Sequence, residues 1–252
     1  MARFRRGTRT GANGSPLVDL HPELSKGMTE DQATEAREAL RVDAEWLPSG
    51  PLPAARLPEA GSGAIVLLAR GLVARTTRLE DAVVSDLVGP GGLICPPAPG
   101  DQGRLGLPGY TIELTALETS LVAAIGSETL RAVADFPGVA AALLRLGERH
   151  LADLEAIRAI GQLTGVDRRL LALFRVLAAR QGRETSDGIA VPVALPHRLL
   201  AELVGVRRPT VTTALRQLAE TGRLRRLDDG TWLLTHAAGA AQGRWRRPKT
   251  TA

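Results

Sequence analysis

The feature that most restricts the fold is a change of rhythm at about Ser127. Between Trp46 and Ile125 the apolar residues come in short runs cut by glycine and proline, as in GAIVLLARGLVARTTRL, DAVVSDLVGPGGLICPP and LPGYTIELTALETSLVAAI. Runs of roughly four to seven residues with turn residues between them are the pattern of β-strands, and their even spacing predicts a sandwich or barrel. The segment has the size of a β domain of roughly 80 residues. From Ser127 the strands stop, and alanine and leucine dominate SETLRAVADFPGVAAALLRLGERHLADLEAIRAIGQL, which predicts helix.

Helices also precede the strands. In MTEDQATEAREALRV, Thr29 can cap a helix and Gln32 completes a capping box, while Ala33, Ala36 and Leu40 recur at helical spacing. Further on, Pro137 suits the first turn of a long helix, where a missing N–H costs nothing. Counting by sevens puts Leu143, His150 and Ile157 on one line, Leu146, Asp153 and Ile160 on its companion, and Val139 one turn earlier. Such an imperfect seam fits a helix packed on its own β domain and a helix packed on its twin in a dimer equally well.

After a Thr-Gly break, with Asp167 in the next first turn, comes the helical VDRRLLALFRVLAARQG. A strand GIAVPVAL follows, placed at a sheet edge by Pro192. Two short helical patterns, PHRLLAELVG and RPTVTTALRQLAETG, lead into RLRRLDDGTWLLTH, where Asp-Asp-Gly between apolar stretches signals a hairpin. Helix, strand, helix, turn, helix and hairpin in that order make a winged helix-turn-helix. Gly205 fits the sharp turn between the two helices.

The second helix of that motif opens with cations and small hydroxyls and turns leucine-rich a turn later. In a helix-turn-helix the second helix enters the major groove of DNA, and its N-terminal residues reach base edges and phosphates. Arg207 and Arg208 stand where guanidinium donors meet phosphate or a guanine edge. Thr210, Thr212 and Thr213 serve as short donors to bases, Arg216 extends the same cationic helix, and Val211, Ala214, Leu215 and Leu218 face inward. On the hairpin, which is read as beginning at Arg223, strand alternation should send at least one of Arg225 and Arg226 toward phosphate. Gly165 to His236 hold twelve arginines against seven acids, so a basic excess lies in this segment.

Composition narrows the remaining choices. The 252 residues suit two domains, and no run approaches the ~18–20 apolar residues of a membrane-spanning helix. The basic start (Arg3, Arg5, Arg6, Arg9) lacks the apolar core of a secretory signal, so a cytoplasmic location is expected. Cys95 is the sole cysteine, which excludes an intrachain disulfide and a cysteine-ligated cluster or zinc site, and its apolar neighbours Ile94 and Pro96 favour packing over redox sensing. No histidine lies between His21 and His150, so the β segment lacks the ligands of a cupin metal site; no metal and no enzymatic activity are expected. GPGGLICPPAPGDQG lacks the lysine and helix of a phosphate loop and reads as turns. His150 is read as an interfacial histidine.

On the stretch LLAELVGVRRPTVTTALRQLAETGRLRR, and on the order β domain, long helix, hinge and winged helix over about Trp46 to His236, the chain resembles the CRP/FNR superfamily of bacterial transcription regulators. The resemblance implies an α+β protein: a disordered basic tail at 1–26, a cupin-like, cyclic-nucleotide-binding-like β-roll with a leading helix at 27–126, a dimerisation helix region at 127–164, a winged helix-turn-helix at 165–236, and a flexible basic tail at 237–252. It implies double-stranded DNA and a second copy of the chain as partners, and RNA polymerase if the protein activates. The alternative is a ligand-sensing or protein-interaction module whose helix-turn-helix binds a protein. The family's Arg-Glu-(Ser/Thr)-Val-x-Arg recognition pattern is matched by Arg208, Thr210 and Val211 but broken by Pro209 and Thr213. Where cyclic-nucleotide-binding members have Gly-Glu for ribose and Arg-Ser for phosphate, this chain has Gly91-Gly92 and about Leu107-Pro108, with Arg104 near but without its serine. A buried phosphate without a cationic partner would be costly, so a cyclic nucleotide is not expected, no cofactor is assigned, and the effector is unknown.

Overall fold

The computed structural model describes residues 14–52, 65–95 and 109–236, and the chain divides into two units, Met1–Asp153 and Leu154–Ala252. In the first unit the strands are β1 (Ser15–Pro16), β2 (Arg41–Leu47), β3 (Gly50–Leu52), β4 (Ile65–Arg70), β5 (Val73–Leu79), β6 (Ala82–Val88), β7 (Leu93–Ile94), β8 (Thr111–Ala116) and β9 (Ser120–Ile125). They pair into one antiparallel sheet ordered β1-β2-β9-β4-β7 and a second ordered β3-β8-β5-β6. Neighbouring residues of a strand face opposite ways, and this alternation makes the layers. Val66, Leu68 and Val122 of the first sheet meet Val73, Val88, Leu114 and Ala116 of the second in the core between them. Leu67, Ala123 and Ile125 turn to the other face of the first sheet.

That outer face is sealed by helices. α1 (Leu17–Leu20), α2 (Pro22–Ser25) and α3 (Glu30–Ala39) precede most of the strands; α4 (Ser127–Ala132) and α5 (Pro137–Gly161) follow them. The capping box expected at Thr29 forms, with its hydroxyl accepting from the Gln32 N–H and the Gln32 side chain accepting from the Thr29 N–H. Leu17, Val18, Leu24, Ala36 and Leu40 pack with Val139, Ala142 and Leu146 of α5 over the sheet. Residues 14–26 are therefore an ordered part of the first unit, against the expectation of a disordered tail at 1–26. Four apolar side chains within Leu17–Leu24 supply enough burial to order them, and Glu23 receives Arg145 at 3.3 Å and Arg149 at 3.7 Å from α5. Residues 1–13 and the tail expected at 237–252 lie outside the described residues.

Two more elements differ from the sequence reading. Arg41–Leu47, where the sequence predicts the end of a helix at Arg41 and Val42 and strands only from Trp46, is the single strand β2, with Val42, Ala44 and Leu47 buried at alternate or near-alternate positions. Its helix-forming Ala, Glu and Arg conceal the alternation. On α5, Val139 and Leu146 of the heptad seam pack on the chain's own sheet, the first of its two readings, and Leu143 packs beside them. The large apolar side chains that α5 leaves exposed are Leu144 and Leu151, one heptad apart and 76% and 62% accessible.

In the second unit α6 (Val166–Gln181) is followed by β10 (Arg183–Thr185), β11 (Gly188–Val191), α7 (His197–Val204), α8 (Arg208–Glu220), β12 (Leu224–Arg226) and β13 (Trp232–Thr235). The sheet order is β10-β11-β13-β12. The strand before the motif is thus a hairpin, and its second arm lies inside the sheet rather than at the edge. Pro192 stands one residue past the end of β11, where its missing N–H interrupts no pairing.

The ordered N-terminal segment gives a direct stability test. Leu17→Ala should lower the free energy of unfolding by about 2–5 kcal/mol, as for other fully buried leucines, whereas Val84→Thr on the exposed face of β6 should change it by no more than about 0.5 kcal/mol. Urea unfolding followed by circular dichroism distinguishes this from a free tail, for which the two variants would match wild type.

Candidate nucleic-acid interface

The site is assembled on the α7–α8 corner. α7 buries Leu199, Leu200, Ala201, Leu203 and Val204 and ends at Gly205, whose φ of 68° and ψ of 45° are left-handed. Glycine adopts that conformation without strain, and it lets the Val206 N–H reach back to the Ala201 carbonyl at 3.0 Å. The chain then extends through Arg207 and turns into α8 with Arg208 and Pro209 in its first positions. Proline is tolerated there because first-turn N–H groups have no partner within the helix. With no side-chain cap from Arg207, the start of α8 presents the positive end of the helix dipole beside its two arginines.

Along α8 the two faces separate as the sequence requires. Val211, Ala214, Leu215 and Leu218 are buried, while Arg207, Arg208, Pro209, Thr210, Thr212, Thr213 and Arg216 are exposed. Two of the threonines differ from their expected role as donors. Thr212 Oγ1 donates to the Arg208 carbonyl at 3.2 Å and Thr213 Oγ1 to the Pro209 carbonyl at 3.3 Å, so their outward groups are methyls and oxygen lone pairs. Arg216 lies 3.7 Å from Glu220 one turn on. Gln217, a side chain suited to adenine edges, is also exposed on α8, and the sequence pattern alone does not mark it.

The hairpin places its arginines unequally. Arg225 turns toward Asp187, 3.6 Å away. Arg226 lies over the ring of Trp232, 6.0 Å from its centroid. Arg223, expected in the first strand, precedes it and is half-buried, with its Nε unpaired among the described residues. Nearby Arg175 is held below the usual arginine range by burial and by the charge of Arg223. At the turn, Gly230 has φ 82°. The Asp229 carboxylate accepts from the Thr231 hydroxyl and from the Thr231 N–H, and these bonds hold its pKa below the ordinary value.

Arg208 and Arg226, from α8 and β12, meet at an open concavity whose wall also contains Pro196, His197 and Arg198 from the start of α7. His197 Nδ1 is 3.1 Å from Thr212 Oγ1, and its ring is 6.4 Å from that of Trp232. Burial, then the charges of Arg226 and Arg208, lower its pKa from the ordinary histidine value. Arg198 is paired with Glu202 at 3.0 Å. No sequence motif marks His197 or Arg198, because their place beside Arg208 and Arg226 arises only from folding.

The first unit offers different chemistry. Gly91 has φ 83°, and a Cβ there would collide with Leu146 and with His21 Nε2; a Cβ at Gly92 would strike Val88. Both glycines are explained by turn geometry and close packing. His150 is half-buried, and its Nε2 lies 3.5 Å from Arg75 Nη2 within the first unit, so it faces the β-roll; Arg75 in turn donates to Asp86 at 2.9 Å. Cys95 is a half-buried free thiol. Leu107-Pro108 and Arg104 lie outside the described residues. Among the described residues there is no cluster of three or more potential metal-ligating side chains, and no helix is long and apolar enough to cross a membrane.

Comparison with known proteins agrees with this layout. The Crp-like helix-turn-helix domain model matches residues 166–238. Among solved structures, a mutant of CooA from Carboxydothermus hydrogenoformans is similar with a TM-score of 0.62 at 17% identity, over 94% of this chain and 97% of that one. FixK2 from Bradyrhizobium japonicum gives a TM-score of 0.56 at 17% identity over 83% of this chain and 100% of that one. CLP, described as a c-di-GMP responsive global regulator of Xanthomonas campestris, gives 0.56 at 17% identity over 77% and 94%. No curated protein matches by sequence.

Proposed function

We propose that this chain, which has the CRP/FNR-type regulator fold and carries a Crp-like helix-turn-helix domain over residues 166–238, is a dimeric, sequence-specific DNA-binding regulator of transcription and not an enzyme. The observation that carries the reading is the division of α8: an apolar face locked into its domain and an exposed face that begins with Arg207 and Arg208. Laid in a major groove, α8 directs Arg208 at a base edge or the adjoining phosphate and Gln217 at base edges farther along the helix. Arg216 and the hairpin's Arg225 and Arg226 supply the sequence-independent attraction to the backbone.

The second copy is held through the exposed face of α5. Leu144 and Leu151 are a heptad apart, and burying each stabilises by about 1.5–3 kcal/mol, which favours a helix-to-helix contact with the same residues on a twin. Two-fold symmetry then calls for a pseudo-palindromic operator with half-sites about one helical turn apart. As an activator the dimer would also touch RNA polymerase. In the β-roll, the turn glycines are taken up by packing against Leu146, His21 and Val88, so no cyclic nucleotide and no other cofactor is assigned. A cytoplasmic location follows from this role.

Selection from random-sequence DNA at moderate salt tests the reading: a pseudo-palindrome should be enriched, with an affinity that falls steeply as salt rises. Failure to enrich any sequence sinks it. Once a site is in hand, Arg208→Ala should weaken it by about 1–3 kcal/mol and relax the preference at one position per half-site, whereas Arg225→Ala should weaken all duplexes alike and lower the salt slope by about one. Fluorescence anisotropy on matched and mutated sites separates these outcomes. The double variant Leu144→Glu with Leu151→Glu should sediment as a folded monomer in analytical ultracentrifugation; a dimer at wild-type strength would move the interface elsewhere.

A further inference from the structure

The cationic concavity at the start of α7 holds a group that the reading face does not use. His197 lines it together with Arg208 and Arg226, which come from different elements. The other groups that face it are also accounted for. On its own helix, Arg198 is taken up by Glu202 at 3.0 Å. On α8, Thr212 Oγ1 lies at 3.1 Å from Nδ1. From β13 the Trp232 ring packs at 6.4 Å.

The hydrogen bonds fix what the imidazole can offer. A threonine hydroxyl has one hydrogen, and that of Thr212 goes to the Arg208 carbonyl at 3.2 Å. Thr212 Oγ1 therefore accepts from the Nδ1–H of His197, an assignment made from the network. Nε2 is then the unprotonated nitrogen, an acceptor, and it makes no hydrogen bond among the described residues. A phosphate diester oxygen is also only an acceptor. In this tautomer Nε2 bonds a phosphate only after it takes up a proton.

Resting on the DNA-binding reading above, we infer that this concavity seats one backbone phosphate of bound DNA beside Arg208 and Arg226, Arg208 keeping other guanidinium N–H groups for the adjoining base edge, with His197 as a third, proton-linked ligand. In the free protein, partial burial and the two guanidinium charges oppose the imidazolium, so its pKa is depressed. A phosphate seated among the three reverses that balance, because an adjacent negative charge favours the protonated ring. His197 then has a higher pKa in the complex than in the free protein. The sign follows from linkage: DNA affinity is greatest below the free-protein pKa and declines as pH rises through the pKa of the complex. Thr212 is a positioning residue here, since it sets the tautomer and leaves the base contacts to its neighbours.

The test is anisotropy at fixed ionic strength with a rhodamine-labelled duplex enriched in the selection and, in parallel, a random-sequence duplex of the same length. Wild type should bind both more tightly by roughly tenfold between about pH 8 and about pH 5.5, because a tenfold gain in the proton affinity of His197 on binding returns a tenfold gain in DNA affinity. His197→Gln, which keeps a side-chain amide near Thr212, should abolish that slope on both duplexes, and His197→Arg should give a flat profile at higher affinity. An NMR titration of the His197 Cε1 proton should show the pKa rising when duplex is added. A wild-type profile without slope, a His197→Gln profile as steep as wild type, or a His197 pKa that does not rise on adding duplex each overturns the inference while DNA binding stands. Absence of binding to either duplex at every pH would instead remove the DNA-binding reading, and this subsite with it.

Discussion

The chemistry of the second unit depends on the burial of Trp232. Its side chain is only 3% accessible and packs 5.1 Å from Phe174 of α6 and 6.4 Å from His197 of α7, while Arg226 of β12 lies over its ring. One aromatic thus touches the anchoring helix, the first helix of the motif and the hairpin. Burying a tryptophan removes roughly 150–250 Å² from water, which at ~25 cal/mol per Å² stabilises by about 4–6 kcal/mol. Its Nε1 is buried without a partner among the described residues, at a cost of about 1–3 kcal/mol. The apolar gain wins, and the cations gathered around the ring sit on a rigid support. Because Arg226 and His197 are placed by packing, their spacing from Arg208 does not depend on mutual attraction, which like charges could not supply.

Much of this fold is written in the sequence in the form of periodicity. The strand runs between Ile65 and Ile125, the start of α5 at Pro137, the capping box at Thr29 and the buried row Val211, Ala214, Leu215 and Leu218 all follow from local rules that their surroundings reinforce. The departures have a common cause in tertiary context. Residues 14–26 follow a run of glycines and arginines that suggests a free tail, yet their few leucines suffice once a sheet face needs cover. In β2, good helix formers hide an alternation that only pairing with β9 makes productive. The α5 seam is ambiguous in sequence because a helix can be amphipathic toward its own sheet and toward a twin at once; folding commits Val139, Ala142 and Leu146 to the sheet and leaves Leu144 and Leu151 outside.

The interface is legible to a similar degree. All eight basic and hydroxyl positions expected to meet DNA are exposed, since an exposed helix face is a matter of period. Their hydrogen-bonding roles are not legible. Whether a threonine hydroxyl points to a base or back to the carbonyl four residues earlier depends on its rotamer, and Thr212 and Thr213 both turn back. The concavity at His197 is invisible in sequence for a further reason: it joins residues 197, 208 and 226, which only the turn at Gly205 and the hairpin bring together.

These placements bear on what α8 can distinguish. Arg208 and Arg216 are its exposed permanent donors, while Pro209, Thr212 and Thr213 present ring carbons, methyls and lone pairs, and Gln217 presents an amide. Such a face suits thymine methyls and adenine edges better than a run of guanines, which would require more charged forks. Arginine at the helix start already has a competing attraction to phosphate, strengthened by the positive end of the helix dipole. On the proposed reading, discrimination by α8 therefore rests on few hydrogen bonds, which is what makes a second half-site read by a twin valuable in that proposal.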